Sequence, residues 1–283
     1  MLSTPKALAV ALIVAGVVLP LLAQPTQSAY QASIANTTNN AATATFFTCN
    51  AAYLNRSASI LFSYPMTEAS ASTAANDSSG KAVGGIYTGT MTSSTDARTA
   101  CPRDVPANYY WLNGTSSYLT ANSKATAPAS FAAEVWFKTG ATGTGQLIGF
   151  GSLQTGASTK HDRQVFINTS GQAAFFANPG TAATITGTQN LRDGNWHQVI
   201  GQLSSTTGMT LYVDGALVAS NSVTKTGATG QGYWRFGYDT LTGATLAPAS
   251  GFFAGSLRYG SVFSAVLTNT QISADFRAGS STN

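Results

Sequence analysis

Between Gly194 and Ser220 the chain reads GNWHQVIGQLSSTTGMTLYVDGALVAS, and few folds accommodate that text. Trp196-His197 opens a strand, a Ser/Thr/Gly turn follows, and a second strand runs from Met209 to Val213. In it Met209, Leu211 and Val213 alternate with Thr210, Tyr212 and Asp214, the period of a strand with one buried face. Asp214-Gly215 comes next. That dipeptide suits a type I′ turn, whose twist matches that of the strands it joins, so a hairpin into a third strand is predicted.

Similar punctuation recurs along the chain. Short apolar stretches at Ala58 to Glu68, Tyr109 to Ala121, Phe131 to Thr139, Leu147 to Phe150, Gln164 to Asn168, Ala173 to Ala177, Tyr233 to Tyr238 and Phe252 to Phe263 are separated by Gly, Ser and Asn. Strands at such spacing predict an all-β sandwich of two antiparallel sheets. One short C-terminal helix is expected, because Thr268 and Gln271 form a capping-box pattern ahead of Ile272 and Phe276.

These motifs resemble the laminin-G-like branch of the concanavalin A-like jelly rolls. The W-H-x-V strand and the L-Y-V-D-G hairpin carry the resemblance, together with Y-P-x-x-E at Tyr64 to Glu68, N-D-x-S-G at Asn76 to Gly80, G-x-Y-x-G at Gly85 to Gly89 and L-N-G-x-x-S-Y at Leu112 to Tyr118. It implies a jelly roll from Ala58 to the C-terminus. Such sandwiches host lectins, adhesion modules, glycoside hydrolases and lyases, so the fold does not name the function.

The first residues have a different character. Lys6, the apolar run Ala7 to Ala23 broken by Gly16 and Pro20, and the small pair Ser28-Ala29 read as a signal peptide over residues 1–29. A retained anchor is the alternative; the run falls short of the ~20 residues a span needs and contains a proline. Residues 30–57 form a polar, β-prone segment ahead of the jelly roll at 58–283. The start of that segment, AYQASIANTTN, resembles the first mature residues of exported SipW-processed, TasA-type matrix proteins. Two cysteines, Cys49 and Cys101, are most simply a disulfide in an exported chain. A secreted or cell-surface location follows, with no membrane contact beyond the export signal.

Charged residues make up only 8% of the chain, and the 14 Lys and Arg are scattered singly, so no basic stripe points to nucleic acid. Catalysis is also poorly provided for. A sandwich glycosidase needs two carboxylates in one cleft, yet the chain has only Glu68 and Glu134 as glutamates, and no two acids stand two residues apart. No nucleophile elbow, P-loop or H-E-x-x-H occurs. His197 and Trp136 are expected to serve packing and loop geometry.

Two clusters remain as ligand-binding candidates. Lys160 to Arg163, with His161, Asp162 and Arg163, concentrates charge in a chain nearly free of it, and resembles a [YH]-D-R element of the laminin-G-like modules. Tyr233, Trp234 and Arg235, with Tyr238 and Asp239, form the second; alternation sends Trp234, Phe236 and Tyr238 to one face and Tyr233 and Arg235 to the other, so an aromatic face could stack on a sugar ring. No cofactor is expected. Calcium, which many laminin-G modules hold, would fall at Asp77, but Arg258 stands where that family often has an acid, and an Arg258–Asp77 pair is expected in the cation's place. The leading reading is a non-catalytic module binding a glycan or surface polymer. A matrix or fibre component self-associating through residues 30–47 comes second, and a glycoside hydrolase or polysaccharide lyase third.

Overall fold

The computed structural model describes residues 46–280. The apolar run, the export-like segment and the proposed strand addition by residues 30–47 therefore fall outside the described residues, apart from 46 and 47. Among the described residues seventeen strands and two helices are formed, and all their strand pairs are antiparallel.

Helix α1 (Cys49–Leu54) comes first, followed by β1 (Ile60–Tyr64), β2 (Ala74–Ala75), β3 (Gly85–Thr88), β4 (Thr92–Ser94), β5 (Tyr109–Asn113), β6 (Tyr118–Ala121) and β7 (Ala125–Thr126). The central strands are β8 (Phe131–Lys138), β9 (Gly145–Gly151), β10 (His161–Ile167), β11 (Ala173–Ala177) and β12 (Ala183–Thr186). Then come β13 (Trp196–Ser204), β14 (Gly208–Val213), β15 (Ala216–Asn221), β16 (Gln231–Phe236), β17 (Ala254–Phe263) and helix α2 (Asn269–Gly279).

One sheet runs β15-β14-β13-β8-β17-β5-β4, with β1 also on β17. The other runs β12-β11-β10-β9-β16-β6-β3-β2, with β7 on β16. The two-sheet antiparallel sandwich read from the sequence is the one formed. Asp214 and Gly215 both take positive φ, 51° and 78°, as the I′ turn between β14 and β15 requires. The segment Tyr109 to Ala121 supplies two strands to different sheets, β5 to the first and β6 to the second, so the turn that joins them crosses the core.

Alternation sorts the side chains of β8 to two different cores. Phe131, Ala133, Val135 and Phe137 enter the space between the sheets, where Phe62, Phe150, Phe175, Trp234, Phe236 and Leu257 meet them. Ala132 and Trp136 point the other way, into a second cluster made with Tyr53 of α1 and Ile272 of α2. The two helices thus form a layer over the outer face of the first sheet. Thr268 caps α2 reciprocally with Gln271, as the sequence predicts, and Phe276 stacks on Trp136 with centroids 5.9 Å apart and planes 10° from parallel. Over the second sheet a loop plays the same part: Leu241 packs on Phe166 and Phe176, and Ala244 and Ala247 lie against that cluster.

Candidate functional site

The cysteines are bridged, as expected. Cys49 and Cys101 stand 5.7 Å apart at Cα and fasten α1 to the loop before β5. Asp104 in that loop accepts from Cys49 N at 2.8 Å and Asn50 N at 3.1 Å, satisfying donors at the start of α1, and from the Tyr259 hydroxyl at 2.7 Å. Arg258 holds the same loop from beneath. Its guanidinium donates to Thr99 Oγ1 at 3.1 Å, Asp104 O at 2.8 Å and Pro106 O at 3.0 Å. The expected Arg258–Asp77 pair is not made, because the fork is spent on this loop.

Asp77 has other partners. Its Oδ1 accepts from Ser63 N and Ser79 N, each at 2.9 Å, and its Oδ2 from Val83 N at 3.1 Å. Ca²⁺ takes six to eight oxygen ligands, carboxylates, carbonyls and waters among them. Among the described residues Asp77 belongs to no group of metal-ligating side chains, and the one such cluster joins Asp104 to the two disulfide sulfurs. Both oxygens of Asp77 thus already serve backbone N–H groups.

His161, Asp162 and Arg163 open strand β10, and Lys160 directly precedes it. Register slips between Asp162 and Val165, and Arg163 takes φ 53° at the bulge. Asp162 and Arg163 are each 2% exposed and bind one another. Asp162 also accepts from Asn178 N at 2.6 Å and Ala228 N at 2.7 Å, while Arg163 donates to Ala228 O at 2.9 Å and Pro128 O at 3.0 Å. Burial lowers the Arg163 guanidinium from its ordinary value, against the opposing pull of Asp162. The pair ties three loops to β10. His161 is the half-buried member: its Nε2 meets Thr242 O at 2.9 Å and its ring stacks on Phe176.

In the second cluster, Trp234 lies in the core against Phe131 and Phe150. Arg235 faces the opposite way and is wholly buried beneath the loop between β9 and β10, donating to Leu153 O, Ser158 Oγ and Gly156 O at 2.9, 3.0 and 2.7 Å. Asp239 stands 3.3 Å from it. Tyr233 is half-buried beside Gly151, whose other neighbour is His161. The structure thus places Tyr233 and His161 on strands flanking β9, on one face, and commits Asp162, Arg163, Trp234 and Arg235 to internal contacts.

Two cavities open on the face of the second sheet. A small one, about 140 Å³, is lined by Ser152, Lys160, His161, Asp162 and Gln231, among others. The larger, about 470 Å³, lies under the segment between β16 and β17 and is lined by Tyr238, Thr240, Thr242, Ala247, Ser250 and Phe252, among others. Every lining residue of the larger cavity is uncharged. Tyr238 and Phe252 stack there, centroids 3.6 Å apart and planes 7° from parallel, with Tyr118 tilted against both. The His161–Thr242 contact separates the cavities. Thr240 and Thr242 carried no signal in the sequence, and Phe252 was read as the start of a strand that begins at Ala254, because nothing local shows a loop folding back over a sheet.

His197 sits between Asp214 (Nδ1 to Oδ2, 2.7 Å) and Asp193 (Nε2 to Oδ1, 3.1 Å). Burial disfavours its charge, yet the two carboxylates outweigh burial and raise its pKa above the usual histidine value. It clamps the β14–β15 hairpin to the turn before β13, the loop-holding part the sequence suggested.

Residues 113–273 match the sequence family described as the concanavalin A-like lectin/glucanases superfamily. The chain belongs to that superfamily. Among solved structures, this concanavalin A-like chain is similar to domain 4 of AbnA, a GH43 extracellular arabinanase from Geobacillus stearothermophilus, solved in complex with arabinotriose. Identity is 14% and the TM-score 0.53, over 76% of this chain and 97% of that one. It is also similar to the binding domain of botulinum neurotoxin DC in complex with SialylT, at 14% identity and TM-score 0.52, over 78% of this chain and 51% of that one. A third likeness is to the binding domain of Paraclostridial Mosquitocidal Protein 1, at 11% identity and TM-score 0.53, over 78% and 52%. The chain spans about half the length of the toxin binding domains it matches. Identities this low concern the fold alone. No curated protein matches the sequence, and no described helix is long and apolar enough to cross a membrane.

Proposed function

We propose that this concanavalin A-like chain is a non-catalytic glycan-binding module acting at the cell surface or outside the cell, and that it holds a neutral saccharide in the cavity lined by the segment that connects β16 to β17. One observation carries the reading: a cavity of about 470 Å³ whose lining combines two half-exposed aromatic rings with the hydroxyls of Thr240, Thr242 and Ser250 and no charge. Aromatic rings stack on the C–H face of a sugar, and hydroxyls exchange hydrogen bonds with its O–H groups. His161 and Tyr233 border the adjoining area, where a longer chain would continue. The arabinotriose in the Geobacillus domain supports a neutral oligosaccharide as the class to test first.

Support for the absence of catalysis comes from the glutamates. Glu134 is fully buried, and Glu68 accepts from Asn76 N at 2.8 Å and the Tyr87 hydroxyl at 2.7 Å. A disulfide and a surface poor in charge support a place outside the cytoplasm. The test is calorimetric titration with neutral oligosaccharides, arabinan- and glucan-derived among them. Binding weakened about tenfold or more by Tyr238→Ala, in a variant with unchanged circular dichroism, supports the reading. Failure of the whole neutral panel to bind, or release of reducing ends from any of it, overturns it.

A further inference from the structure

A third cavity, about 370 Å³, lies on the other sheet, where the end of β8, the start of β13, the segment before Cys101 and the end of α2 converge. It lies within the range of small-molecule pockets, ~300–1,000 Å³. Trp136, Trp196 and Phe276 supply its aromatic surface, and Asp96, Arg98, Lys138 and Asp214 its charges.

Which of those groups remain free decides what could enter. Asp214 accepts from His197 and, at 2.9 Å, from Gln198 N. Asp96 accepts from Lys138 and from Arg98 N. Against the cost of partial burial, Lys138 holds the Asp96 carboxyl below the usual carboxylate range. The negative end of α2 is covered as well: Gly279 O accepts from Cys101 N at 2.8 Å, Ala278 O from Arg103 at 3.3 Å, and Phe276 O from Ser280 N at 2.8 Å. The carboxylates of the wall and the last carbonyls of α2 are therefore partnered.

Donors are left over. Lys138 uses one N–H on Asp96 and one on the Tyr109 hydroxyl at 3.5 Å, and an ammonium has three. Arg98 is exposed, and its guanidinium forms no ion pair or hydrogen bond with the described residues. A ligand completing this site must bring acceptors and negative charge to Arg98 and a flat or C–H-rich ring to the aromatic wall. We propose that the cavity binds a hexuronate residue, its carboxylate on Arg98 and Lys138 and its ring against Trp196 and Phe276. The site is separate from the neutral-saccharide cavity and does not depend on it.

The test uses the full chain, with trigalacturonate as the probe and its methyl ester as the uncharged counterpart. Tryptophan fluorescence and calorimetry should report saturable binding of the acid, weaker binding of the ester, and no response to inorganic phosphate at the same concentration. Arg98→Gln, at an exposed position where folding is not at stake, should weaken acid binding about tenfold or more, the range of a lost charge-assisted hydrogen bond. Tyr238→Ala should leave it unchanged. The proposal is overturned by no binding at millimolar acid, by equal affinity for acid and ester, by an equal response to phosphate, or by full affinity in Arg98→Gln.

Discussion

Arg56 and Asp275, separated by 219 positions, form a two-point ion pair at 2.8 and 2.9 Å with both side chains almost wholly removed from solvent. Arg56 follows α1 and Asp275 lies in α2, so the pair joins the helical layer to itself across the outer face of the first sheet. Glu134 of β8 lies beside it, accepting on Oε1 from the Tyr53 hydroxyl and Gln198 Nε2, each at 2.7 Å. Two buried acids and one guanidinium leave one charge too many. Burial, with the charge of Asp275, pushes the Glu134 carboxyl well above its ordinary value. Burial likewise raises Asp275 to about 6, while Arg56 opposes the rise. The group is neutral when Glu134 keeps its proton.

Removing Arg56 should therefore be severe. Arg56→Met strands Asp275 next to Glu134 and is expected to destabilise the protein by about 3 to 5 kcal/mol, the usual consequence of breaking one side of a buried pair. Urea unfolding at neutral pH measures it, and Asp275→Asn in the same background should recover part of the loss.

Stability should fall as pH rises. Carboxyls raised in the folded state hold protons that the unfolded chain releases near 4, so their contribution is complete below about 4 and is lost as pH passes through about 6 and above. His197, also raised, adds stability below about 6.5 that disappears at higher pH. A melting temperature higher at pH 5 than at pH 8 is the expected result. Glu134→Gln imitates the protonated acid and should flatten most of that slope; an unchanged slope would show that Glu134 does not hold the proton.

Loss of the disulfide should weaken α1 first. Closing the 52-residue separation between Cys49 and Cys101 contributes about 4 kcal/mol in the chain-entropy description. The Cys49→Ser, Cys101→Ser double variant should unfold at correspondingly lower urea, with hydrogen exchange rising in residues 49–54 before the central strands.

Arg258 should tolerate no shorter fork. Lys at this position keeps the charge but cannot reach Thr99, Asp104 and Pro106 together, so Arg258→Lys is expected to cost about 2 to 3 kcal/mol. Calcium and chelator should leave the melting temperature of the unmodified protein alike, since the oxygens of Asp77 already serve three backbone N–H groups.

By itself the sequence determined the sandwich. Alternation in Met209 to Val213, the Asp214-Gly215 turn and the Thr268–Gln271 cap are local, and backbone sterics and hydrogen bonding settle them within a few residues of chain. The strand with Ala133, Val135 and Phe137 on one side of β8 was legible for the same reason. What lay on its other side was not: Trp136 and Glu134 show the same alternation whether solvent or a helix covers them, and α1 stands in text with little helical pattern of its own. Only the tertiary structure placed α1 and α2 there, because the disulfide, Asp104 and the Arg56–Asp275 pair act between residues tens to hundreds of positions apart. The same limit governed the candidate sites. Charge in Asp162, Arg163 and Arg235 stood out in a chain with so little of it, yet long-range contacts turned those groups inward to hold loops. The cavities were left to residues such as Tyr238, Phe252 and Arg98, whose placement depends on where distant loops come to rest.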